Sequence, residues 1–293
     1  MSIYNISGSA LDQAYDLHGD ALSKAYNLDG AEVYQLDSWR DEVTIEKRRY
    51  EDTNYYLTII PQTRSNGQKQ YPFVYCPDGT GVCTMSTLDM IQRTGFYFGM
   101  NSGVGNVLGG GNYSLDGLTI ENSVVILNTP SDDHATNPQA ARPLTIDSNG
   151  ALWYTEYDSD AYDLVADGIV SCISGFMPLV VNGVVQYDWI DSWPTWKATD
   201  AQRQIIGQYA NGDYAIVTAE GRGYDNSVGL TVPQVAELCV SLGINFAYMC
   251  DGGGSAETVV CGEQLNLIYD NVTGRRVPSF IVFNGTDTFS IPE

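Results

Sequence analysis

The sequence predicts an α+β fold: a β-rich mixed-sheet domain preceded by a small N-terminal β-repeat module. Three observations carry this. Gly (30) and Tyr (20) are abundant in 293 residues while only 17% of residues are charged, a composition suited to strands and turns. Short apolar or β-branched runs alternate with Gly, Asn and Asp clusters. One stretch, 231–242, has helical spacing with start and stop signals of its own.

Residues 4–36 hold three units of 11 residues. Tyr4, Tyr15 and Tyr26 open them, Gly8, Gly19 and Gly30 mark a turn in each, and Leu11, Leu22 and Val33 follow. Each unit reads as strand, turn, strand, and one unit cannot bury its own apolar residues. The module therefore packs as a meander on the main domain, or docks and forms a homo-oligomer. The repeats are similar to N-terminal segments of phage and prophage tail proteins and of gut-bacterial surface proteins. The charged stretch 37–50 reads as a junction, and 51–293 as the main domain. Thr53 to Pro61 reads as its first strand, with Arg64-Ser65-Asn66-Gly67 as a turn.

The second half is more explicit. Asn211-Gly212-Asp213 is a hairpin turn between a run starting near Arg203 and the strand Tyr214–Ala219. That strand ends at Glu220-Gly221-Arg222-Gly223. Thr231 and Gln234 form a capping box, Pro233 fits the first helical turn, and Val232, Val235, Ala236, Cys239 and Leu242 share a face that stops at Gly243. A strand over 244–250 then delivers Asp251 to the loop Gly252-Gly253-Gly254-Ser255. Three consecutive glycines belong where backbone approaches something closely. Successive N–H groups on such a loop can form an anion cradle.

The net charge of −22, from 36 acidic and 14 basic residues, excludes nucleic acid as a partner and disfavours anionic membranes. No apolar run reaches membrane-spanning length, so no membrane insertion is expected. The N-terminus lacks the apolar core of a signal peptide. The expected location is a virion, the cell surface or the extracellular space, reached without a classical signal peptide, with the cytoplasm as the alternative. Acidity also fits a divalent cation such as calcium, for which Ser131-Asp132-Asp133 and Tyr157-Asp158-Ser159-Asp160 offer oxygen ligands without EF-hand spacing. No Cys/His cluster points to zinc. Cys239, Cys250 and Cys261 sit in apolar runs and read as buried thiols, while Cys76 and Cys83 flank a turn that could let them pair.

With two histidines, His18 and His134, neither in a motif, carboxylates are the expected proton carriers. Asp251 and Glu220 are the candidates. Trp189, Trp193 and Trp196 cluster just before Arg203, either as core or as aromatic faces for stacking on a ligand.

The order of motifs resembles the phosphodiester glycosidase family. Arg203, Gly221-Arg222, Gly229-Leu230-Thr231, the Asp251–Ser255 loop, Asn266 and Arg275-Arg276-Val277 carry the resemblance. Thr87–Ile91, Phe98–Gly103, Ala141–Ile146 and Pro178–Gly183 extend it upstream, and Val104-Gly105 departs from a usual Phe-Phe. The resemblance implies a hydrolase that releases a sugar from a sugar-1-phosphodiester, with a glycan or cell-surface polymer as substrate. It also implies Arg203, Arg222 and Arg275 as phosphate partners, since a guanidinium fork binds phosphate oxygens in pairs. Gly252, Gly253, Gly254 and Ser255 would cradle the phosphate, and Asn101 and Asn266 would contact sugar hydroxyls. Two alternatives stand beside this: a non-catalytic glycan-binding structural protein, and a phosphodiesterase acting on a nucleotide-like diester.

Overall fold

The computed structural model describes residues 22–26, 32–36, 43–77, 79–82, 84–103, 105–109, 112–130, 142–156, 158–192, 197–260, 262–267 and 274–283. Its centre is a nine-stranded sheet. In spatial order the strands are Leu22–Tyr26, Glu32–Leu36, Thr44–Tyr50, Thr53–Ile60, Tyr214–Ala219, Arg203–Gln208, Phe246–Met249, Met177–Val181 and Val184–Val185. A five-stranded sheet contains Leu118–Glu121, Leu144–Asp147 and Ile169–Ile173, and another contains Thr258–Val260, Phe98–Asn101 and Phe280–Phe283. The strands outnumber the helices, and the α+β class holds. Every registered strand pair among the described residues is antiparallel.

Strand alternation assigns the two faces of the large sheet. Ile206, Tyr214, Ile216, Phe246 and Tyr248 pack with Ile146, Phe98 and Phe283 of the smaller sheets. Their neighbours Ile205, Ala215, Val217, Ala247 and Met249 pack instead against Val232, Val235, Ala236 and Cys239 of the helix Val232–Ser241. That helix starts as its sequence dictates. Thr231 accepts from the Gln234 N–H, Gln234 reaches back to the Thr231 N–H at 2.8 Å, and Pro233 sits in the first turn. The turn before Tyr214 also follows its sequence: Gly212 has φ +97 and donates to the Tyr209 carbonyl at 3.0 Å.

Within the stretch 37–50, the described residues 43–50 depart from their reading as a junction. Thr44–Tyr50 is a strand paired with Thr53–Ile60 through seven residues. Glu51 and Asp52, both at positive φ, close the hairpin in two residues, so charged side chains here decorate a strand rather than a linker. The strands Leu22–Tyr26 and Glu32–Leu36 form a hairpin that extends the same sheet, with Tyr34 opposite Ile45 and Gln35 opposite Thr44. The rest of the repeats, His18, His134, Cys83, Cys261, Trp193, Trp196 and the acidic stretch 131–133 lie outside the described residues. Cys239 and Cys250 are buried, as their apolar runs predict. No described helix is long and apolar enough to cross a membrane.

Candidate functional site

Three strands of the large sheet deliver the site to one end. Arg203 begins one strand and pairs with Ala219, the last residue of its neighbour. Ile205 pairs with Met249, the last residue of the strand that leads to Asp251. Alternation then decides which side chains meet. Arg203 shares a face with Ile205, and Asp251 shares one with Ala247 and Met249, all toward the helix side. A cavity of about 240 Å³ opens there, lined by Phe176, Thr199, Ala201, Arg203, Arg222, Asp251, Gly252 and Gly253.

Asp251 is half-buried, and its main chain is pinned on both sides. Its N–H donates to the Ser102 carbonyl at 2.9 Å, and its carbonyl accepts from Asn101 Nδ2 at 2.6 Å. Burial pushes its carboxyl up to about 6, although a hydrogen bond from Ser255, the Arg275 charge and the Gly252 N–H pull the other way. Arg275 reaches the loop from outside the cavity, its Nη1 donating to Ser255 Oγ at 3.3 Å. It therefore acts on Asp251 through Ser255 and through charge.

Arg203 is 7% exposed and held by two main-chain carbonyls, with Nε donating to Leu230 at 2.7 Å and Nη2 to Thr199 at 2.6 Å. Burial lowers its pKa to about 10, a nearby Asp200 raises it, and the charge of Arg222 lowers it further. It stays a cation at neutral pH beside a second cation. Arg222 sits at φ 57, followed by Gly223, then Asp225 at φ 49 and Asn226 at φ 52. Left-handed backbone at non-glycine residues costs about 1–3 kcal/mol each and persists where surroundings hold it.

Part of the N–H set of the glycine loop is spent inside the protein rather than presented as a cradle. The N–H groups of Asp251, Gly253, Ser255 and Ala256 are bonded to the carbonyls of Ser102, Gln202, Gly252 and Gly253. The glycines instead permit close packing. A Cβ on Gly252 would stand 2.8 Å from the Gln202 carbonyl oxygen, and one on Gly253, at φ +56, would stand 2.9 Å from Arg222 Nη2. Bare backbone at Gly253 thus lets the Arg222 guanidinium come close to the loop. Gly254 and Ser255 are buried behind the cavity wall.

Glu220 does not join Asp251. It continues the alternation of Ile216 and Thr218, away from the face of Arg203, and is fully buried. Its Oε1 accepts from the Leu267 N–H at 2.8 Å and its Oε2 is buried away from solvent. Burial, the largest influence, pushes its carboxyl up to about 7. Asp251 is the only carboxylate among the described residues that line the cavity. Asn101 and Asn266 are also buried braces rather than exposed ligands. Asn266 takes the Thr258 N–H at 3.0 Å and donates to the Ala256 carbonyl at 2.7 Å.

Phe176, Thr199 and Ala201 escaped the sequence reading. Thr199 and Ala201 lie within four residues of Arg203, so proximity to that motif was the available signal. Phe176 precedes a strand and carries no motif. Among the described residues no three His, Cys, Asp or Glu side chains gather to hold a metal ion. Asp160, read as a calcium ligand, caps a helix, accepting from the Tyr162 N–H at 2.8 Å.

Known proteins share this architecture. The catalytic domain of zebrafish N-acetylglucosamine-1-phosphodiester alpha-N-acetylglucosaminidase, in a form auto-inhibited by its pro-peptide, superposes with a TM-score of 0.60 at 15% identity, covering 92% of this chain and 86% of that one. A hypothetical protein from Synechocystis superposes with a TM-score of 0.56 at 13% identity, covering 91% of this chain and 68% of that one. These define the fold class. The phosphodiester glycosidase family model matches residues 94–284, and the chain belongs to that family. The SPbeta prophage-derived uncharacterized protein YomE of Bacillus subtilis (strain 168) is 40% identical over 70 residues, 24% of this chain and 11% of that relative's length.

Proposed function

We propose that this protein hydrolyses the glycosidic bond of a sugar-1-phosphodiester carried on a glycan or cell-surface polymer. The observation that supports it is the pairing of Arg203 and Arg222 with Asp251 in one cavity of a chain whose net charge is −22. Two neighbouring guanidinium groups in such a chain make a local site for a phosphoryl group. The bond between the anomeric carbon and oxygen breaks with its electron pair going to the phosphate. The arginines stabilise that charge, so protonation of the leaving oxygen contributes little. The Asp251 carboxylate faces the positive charge that develops on the sugar, and takes a proton from the attacking water. Water adds its oxygen to the sugar, and the products are a free sugar and a phosphomonoester.

The prophage relative supports a place on a virion or cell surface, where residues 1–36 would dock or oligomerise the enzyme. Hydrolysis of a sugar-1-phosphodiester panel in oxygen-18 water tests the reaction. Label in the sugar supports it. Label in the phosphate makes the protein a phosphodiesterase, and binding without turnover makes it a glycan-recognition protein.

A further inference from the structure

The loop that carries Arg222 is held by residues outside the family-matched stretch 94–284. The start of the strand Thr53–Ile60 grips it. Asn54 Nδ2 donates to both the carbonyl and Oδ2 of Asp225 at 2.9 Å. The Asn54 N–H donates to Ser227 Oγ at 2.8 Å, and its carbonyl accepts from the Glu220 N–H at 2.9 Å. Thr53 Oγ1, fully buried, takes the Gly229 N–H at 2.8 Å and donates to the Gly229 carbonyl at 3.0 Å. Lys47 Nζ closes the set on Asp225 Oδ2 at 2.5 Å.

These contacts span the left-handed residues, and the Arg222 N–H donates across the loop to the Val228 carbonyl at 2.9 Å. A loop of this length bearing three non-glycine left-handed residues returns to ordinary backbone unless something fixes it. The grip is polar and directional, which fixes a conformation, where apolar packing would only bury it. We infer that Asn54, with Thr53, is a positioning residue: it holds residues 221–229 in the conformation that sets the Arg222 guanidinium against Gly253 for the substrate's phosphoryl group. The phosphoryl part rests on the function proposed above; the clamp does not.

The test uses the full chain and two readouts. Hydrogen–deuterium exchange reads the clamp without a ligand. Asn54→Ala should speed exchange within 221–229 while the rest of the sheet keeps its protection. Calorimetric binding of inorganic phosphate reads Arg222. Asn54→Ala should weaken it about tenfold, the scale of one charge-assisted hydrogen bond, and should add nothing in an Arg222→Ala background. An equal loss in both backgrounds, or unchanged exchange in 221–229, overturns the inference. Should Asn54→Ala fail to fold, Ser227→Ala removes one contact and is read identically. Altered exchange in a protein whose wild type binds no phosphate would uphold the clamp and sink the phosphodiester reading instead.

Discussion

Asn101 ties Asp251 to Glu257. Its Nδ2 donates to the Asp251 carbonyl at 2.6 Å while its Oδ1 accepts from the Glu257 N–H at 3.1 Å. Both ends of the glycine loop thus hang on one side chain with no solvent exposure. The family resemblance pointed to Asn101 as a sugar contact, and its geometry makes it a brace. Asn101→Ala should lower turnover about a hundredfold, the usual cost of misplacing a catalytic group by about 1 Å. It should also cost about 1–3 kcal/mol of stability by stranding the Glu257 N–H. Rates on a sugar-1-phosphodiester and urea melts check both. A variant that loses stability but keeps its rate would show that Asp251 stays in place without the brace.

Asp251→Asn should leave the fold intact and slow turnover about 10²–10⁴-fold, because the amide accepts no proton. The pH profile adds a sign. With the carboxyl at about 6, the ionised base appears as pH rises, so the wild-type rate climbs through pH 6 and then levels. The rate that remains in Asp251→Asn should lack that limb. A wild-type profile flat between pH 5 and pH 7, about the stated pKa, would remove Asp251 from proton transfer.

Much of this was legible because it is local. The Thr231–Gln234 capping box, the Gly212 turn and the Asp251 loop declare themselves within a few residues. Glu220 is separated from the cavity by strand parity past Ala219. Counting by two places Arg203 and Asp251 on one face and Glu220 on the other. The grip of Asn54 on residues 173 positions away could not be read at all, since nothing in Thr-Asn at the head of a strand announces a partner so distant. Phe176 fails for the same reason, entering the cavity through the pairing of Met177 with Met249.

Glu220→Gln should change how stability depends on pH. Burial holds the folded carboxyl at about 7 against an ordinary 4.5. Between those values the native state keeps its proton while the unfolded chain releases it. The neutral form's contribution is therefore full below pH 4.5 and lost as pH rises to about 7. Gln keeps an acceptor for the Leu267 N–H and cannot ionise, so the variant should melt closer to a constant midpoint across this range. Thermal melts at pH 4.5 and pH 8 would show the wild type losing more than the variant. Parallel losses would mean that Glu220 hydrates when charged.

Removal of residues 1–36 should leave a folded domain with unchanged rate and a changed oligomeric state. The large sheet owes little to these residues. The strand Glu32–Leu36 meets Thr44–Tyr50 at two registered pairs, whereas Thr44–Tyr50 meets its inner neighbour at seven. The newly exposed edge carries Lys47, Arg48 and Arg49, charges that discourage strand-to-strand aggregation. Every described residue that lines the cavity lies beyond residue 175, so the chemistry should not notice the loss. The 11-residue period, in contrast, repeats Tyr and Leu or Val at matched positions that one unit cannot cover. Light scattering of the full chain and the truncation decides between attachment and packing. If both are monomers and the truncation unfolds readily, the repeats belong to the core of the sheet and the docking role fails.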